Sequence, residues 1–156
     1  MMQRTAIAIA LALSLTAPAV ANGLSASQSV TKQVTRVDEH GEIEVREIAA
    51  DSVSPGDTII YTLHYAYDGK TPATDIVLTM PVPEEVLPLA DSLYHANTTA
   101  LYSDDQGLTY LALPDANSHE PDTHLILSQI THLRWALHGD TDPGTIGSIS
   151  FSGQVR

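Results

Sequence analysis

Residues 53–82, VSPGDTIIYTLHYAYDGKTPATDIVLTMPV, alternate apolar and polar side chains between two turn signals and end among prolines. Strand side chains point to opposite faces with a period of two, so this pattern specifies a half-buried antiparallel sheet. Ser54-Pro55-Gly56-Asp57 is the first turn. Pro55 presets its own φ, and Gly56 supplies the positive φ that a type II turn requires next. Beyond it, Ile59, Tyr61, Leu63, Tyr65 and Tyr67 fall on one face, with Ile60, Thr62, His64 and Ala66 on the other. Asp68-Gly69-Lys70 is the next turn, and Ile76, Leu78 and Met80 share one face of the strand that follows.

The rest of the chain repeats this grammar. Residues 30–37 and 42–48 alternate around the polar turn Asp38-Glu39-His40-Gly41, which predicts a hairpin. Pro81, Pro83 and Pro88 exclude a central strand or continuous helix, leaving 84–93 as a crossing loop with room for one helical turn at 84–87. Short strands are expected at 99–102, 108–113, 124–127 and 132–137, the last carrying the only tryptophan, Trp135. Residues 114–121 form a polar loop and 139–144 an acidic, turn-rich connection. Residues 145–155 close the pattern, with Ile149, Phe151, Gly153 and Val155 on one face and Ser148, Ser150, Ser152 and Gln154 on the other. The fold class is therefore all-β, an antiparallel β-sandwich of about 7–9 strands.

At the front of the chain, Arg4 precedes an apolar run, then Pro18, then Ala19-Val20-Ala21. This is the order of a secretory signal peptide over residues 1–21, cleaved after Ala21, and it predicts a periplasmic or secreted protein. The run is shorter than the roughly 20 apolar residues a spanning helix needs. Residues 22–29 are small and polar and are read as a flexible lead-in to a single domain at 30–156. The chain beyond Ala21 has 156 − 21 = 135 residues, enough for one hydrophobic core without disulfides, and no cysteine is present to form any.

Charge narrows the partners. There are 7 Lys+Arg against 19 Asp+Glu, a net −12, or 6 − 19 = −13 without Arg4. Such a balance disfavours nucleic acid and anionic membrane surfaces, both of which call for clustered basic residues.

Several motifs together resemble a known family: Pro55-Gly56-Asp57, Tyr61-Thr62-Leu63, Gly69, Ala73-Thr74-Asp75-Ile76-Val77, Pro81, Pro83, Trp135, Gly144 and the closing Ile149-Ser150-Phe151. Across residues 50–156 this order is similar to domain of unknown function eleven, a repeat domain of bacterial exported proteins. Asp68 replaces the family's usual Asn before the hairpin glycine, and one copy is present instead of a tandem array. The resemblance implies an immunoglobulin-like sandwich with an interaction or structural role. It transfers no catalytic residue.

Motifs for chemistry are sparse. His119, His124, His132 and His138 raise the alternative of a small periplasmic metal-binding protein for calcium or zinc. However, H-E-x-x-H and EF-hand patterns are absent, and His132 and His138 would lie about 20 Å apart along a strand. No G-x-S-x-G occurs for a serine hydrolase. Ser103-x-Asp105-x-Gly107-x-Thr109 fits a single Asp-box, read as a tight hairpin turn capped by Asp105. No catalytic residue, cofactor or metal ligand is assigned. Tyr61, Tyr65 and Tyr67 remain as a possible contact surface for an envelope protein or a glycan, set against the simpler reading that the row ends at the sandwich edge.

Overall fold

The computed structural model describes residues 23–114 and 123–156. The expected signal peptide lies outside them, as do His119 and Glu120. The strands are β1 (Leu24–Val37), β2 (Ile43–Ala49), β3 (Thr58–Tyr67), β4 (Val77–Pro81), β5 (Val86–Pro88), β6 (Thr98–Ser103), β7 (Leu111–Ala112), β8 (His132–Leu137) and β9 (Thr145–Val155). A helix, α1 (Thr123–Gln129), and one 3-10 turn, Ala90–Ser92, complete the set. The strands form two antiparallel sheets, ordered β2-β1-β3-β9-β5 and β4-β8-β6-β7. This is the sandwich that the alternation predicts.

The core lies between the sheets, where the predicted faces meet. Ile59, Tyr61 and Leu63 of β3 and Ile149, Phe151 and Val155 of β9 pack against Leu78 and Met80 of β4, Tyr102 of β6, and Leu133 and Trp135 of β8. Each such side chain contributes about 1.5–3 kcal/mol when fully removed from water. The central β3–β9 ladder opposes Tyr61 to Phe151 and Leu63 to Ile149. Its neighbour Gly153 admits the edge strand β5, since a Cβ there would lie 2.3 Å from Val86 Cγ1. The first turn is type II as read: Asp57 N–H donates to Ser54 O at 3.0 Å, and Gly56 has φ +95°.

Three expectations are corrected. Residues 24–29 are the first half of β1, paired with β3 from Leu24↔Tyr67 onward. Small polar side chains suffice there because the backbone carries the ladder and only Leu24, Ala26 and Val30 turn inward against the core. Within 84–93 the chain forms edge strand β5, where Pro88 is tolerated, followed by the 3-10 turn instead of a helical turn at 84–87. Residues 124–127 belong to α1 and not to a strand. Ile126 and Leu127 of α1, with Ile130 just beyond its end, pack on the core.

Candidate interaction site

The tyrosine row faces inward. Tyr61 is 3% exposed and stacks on Phe151 with ring centroids 5.0 Å apart, and Tyr67 is 7% exposed with its hydroxyl donating to Thr71 O at 2.6 Å. Only Tyr65 is half-exposed, so the row is core and rim and does not form a contact surface. Sequence alternation identifies the face correctly; it carries no information on whether a second sheet covers that face.

Tyr65 lines a cleft of about 260 Å³ with His95, Asn97, His138, Thr141 and Ser148. Both histidines are engaged. His95 Nε2–H donates to Ser150 O at 2.6 Å, and its ring meets Trp135 edge-on, while His138 Nε2 lies 2.7 Å from Thr99 Oγ1. His132 Nδ1 lies 3.2 Å from Thr131 Oγ1. Among the described residues no group of three or more His, Cys, Asp or Glu is arranged to hold a metal ion.

The Asp-box forms the turn between β6 and β7. Asp105 Oδ1 accepts from the Leu108 and Thr109 N–H groups at 3.1 and 2.9 Å and from Ser103 Oγ at 2.7 Å; Thr109 Oγ1 donates to Asp105 Oδ2 at 2.5 Å. Arg134 lies over the Tyr110 ring at 3.4 Å and ties the turn to β8. The Thr109 hydroxyl and amide, then Ser103, hold the Asp105 carboxyl down at about 2. Because these bonds favour the charged form, they are intact above the ordinary value of 3.8 and are lost as pH falls through about 2. The Leu108 and Thr109 amide resonances should therefore titrate together near pH 2, and Asp105→Ala should abolish that titration. A midpoint near the ordinary value would contradict the geometry.

The arrangement that stands out is the β1–β2 hairpin. β1 pairs with β3 only up to Lys32↔Ile59, whereas its pairing with β2 runs from Thr31↔Ala49 to Val37↔Ile43. Residues 33–37 and 43–47 thus continue past the sheet as a two-stranded arm. Asp38 Oδ1 accepts from the His40 and Glu42 N–H groups at 2.8 Å each, and Gly41 with φ +80° closes the tip. Opposed residues share a face, so Val37, Ile43, Thr35 and Val45 form one patch, continuous with the outer face of the sandwich. Val37 is 68% exposed, Ile43 73% and Val45 57%. The other face carries Lys32, Arg36, Glu44 and Arg46, with Arg46 Nε 3.0 Å from Glu44 Oε1.

Edge protection sets this arm apart. β4 and β5 end in Pro81 and Pro88, and β7 has two residues, the usual devices against edge-to-edge pairing. β2 is the fourth sheet edge. It runs seven residues without proline and bears exposed Ile43, Val45 and Ile48. The sequence marks this hairpin by turn and alternation, but alternation alone does not separate a strand with a packing partner from one without.

No family model, curated protein or solved structure matches this chain.

Proposed function

We propose that the chain is an exported, non-catalytic interaction module of the cell envelope, a β-sandwich that presents the β1–β2 arm to another protein chain. The carrying observation is the arm itself. An isolated two-stranded ribbon is marginal in water, yet this one exposes Val37, Ile43 and Val45 beside a full-length edge strand without proline. Those side chains are spent on nothing within the sandwich, which is the pattern of a surface that gains its burial on contact. A free backbone edge flanked by apolar side chains recognises a second strand, by ladder bonds and side-chain pockets, better than it recognises a sugar.

Export rests on the leader pattern of residues 1–21, with release into the periplasm or medium. Among the described residues, no helix is long and apolar enough to cross a membrane. The resemblance to domain of unknown function eleven implies a structural or interaction role. Photocrosslinking in the exporting cell, from a reactive residue at position 43, tests the reading; one at exposed Leu108 serves as the control.

A further inference from the structure

We infer that the occupant of the β2 edge is a second copy of this chain, paired antiparallel across a two-fold axis at Val45. This deepens the proposed contact role and rests on that reading only in using the same arm. Two observations carry it: the direction of the backbone groups and the order of charges along β2.

The Asp38 N–H donates to Glu42 O at 2.9 Å, which makes 38–42 a hydrogen-bonded pair of the hairpin. Bonding alternates along an antiparallel ladder, so Glu44, Arg46 and Ile48 bond inward to β1. Ile43, Val45 and Glu47 turn their N–H and C=O groups to the free edge. A second β2 strand centred on Val45 meets these groups directly. Val45 pairs with Val45 of the second copy, and Ile43 with Glu47, as hydrogen-bonded pairs.

Glu44 and Arg46 of one copy then face Arg46 and Glu44 of the other at the non-hydrogen-bonded positions, where side chains come closest. Glu44 and Arg46 already touch within one copy, so the dimer joins two such pairs into a square of alternating charge. Ile43 lies diagonal to Val45 of the second copy on the opposite face. The other symmetric registers that overlap most of β2 are centred on Arg46 or Glu47. They set Arg46 against Arg46 or Glu47 against Glu47, and like charges opposed in this way are destabilising. Charge order thus selects one register.

Sedimentation of the purified chain over a concentration series, at low and then raised salt, tests the pairing. The native chain should dimerise, and raised salt should narrow the gap between it and the charge variants by screening their like-charge contacts. Glu44→Arg and Arg46→Glu should each weaken self-association at least about tenfold by opposing like charges. An equimolar mixture of the two variants should dimerise again, because every cross-copy pair is then opposite in sign. Val45→Pro removes an outward N–H while sparing the β1 ladder, and should leave a folded monomer. A native chain monomeric throughout, or single variants that dimerise as tightly as the native chain, overturns the inference. A monomeric chain whose arm still crosslinks to a different envelope protein overturns the self-pairing and leaves the contact role standing.

Discussion

Trp135→Ala is expected to lower the unfolding free energy by about 3–5 kcal/mol, the range for removing a fully buried large aromatic side chain. Domains hold about 5–15 kcal/mol in total, so the variant should lose a large fraction of its stability and unfold at a much lower denaturant concentration. Trp135 has no exposed surface, and it lies centrally in the inner face of β8, opposed to Leu78 on one side and Ala100 on the other. Its indole N–H donates to Leu93 O at 2.8 Å, which pins the segment after the 3-10 turn beneath the second sheet. Trp135→Phe separates the two roles. It keeps most of the packing but strands the Leu93 carbonyl, and should cost about 1–3 kcal/mol. Denaturant titration followed by far-ultraviolet circular dichroism measures both, since each variant removes the chain's only tryptophan.

Tyr61→Phe is expected to act in the opposite direction. The Tyr61 hydroxyl is buried and finds no hydrogen-bond partner among the described residues. An unsatisfied buried polar group costs about 1–3 kcal/mol, and a same-shape apolar replacement recovers part or all of it. Stacking on Phe151 survives the change, because the ring is retained. Burial, and secondarily the negative charge of Glu85, push the phenol above its ordinary value of 10.0. The folded state therefore holds Tyr61 neutral where the unfolded chain begins to ionise. Its contribution is complete below the ordinary value and is lost as pH rises through and beyond it. Tyr61→Phe should raise the denaturation midpoint at neutral pH and flatten the alkaline decline. A lower midpoint would mean that the hydroxyl has a partner.

Most of the sandwich is legible in the sequence because its strands are long and one-sided. Ile59 to Tyr67 and Ile149 to Val155 each alternate without interruption, and turn residues with defined φ bound them. Elements were missed where that signal is thin. The start of β1 has serines at 25, 27 and 29 on its outer face and only Leu24 and Ala26 inward, which resembles a polar tail. β5 is hidden among prolines because an edge strand of three residues makes few ladder bonds for proline to break. α1 is short, and its helical signal reduces to Ile126, Leu127 and Ile130.

The site was less legible than the fold, for a different reason. Alternation in Ile43 and Val45 is the same whether a second layer covers them or water does. The same limit applies to Tyr61 and Tyr67, whose hydroxyls suggest a rim although Tyr61 is buried between the sheets and Tyr67 against the turn at Gly69 and Thr71. Periodicity reports a face, and only the packing of the other sheet decides whether that face is core or contact.

The arm is therefore the decisive element, and crosslinking from position 43 in the exporting cell tests it most directly. Specific adducts are expected from position 43 and none from position 108, although Leu108 is the more exposed at 84%. Adducts equal at both positions, or absent at position 43 in protein that is exported and folded, would contradict it.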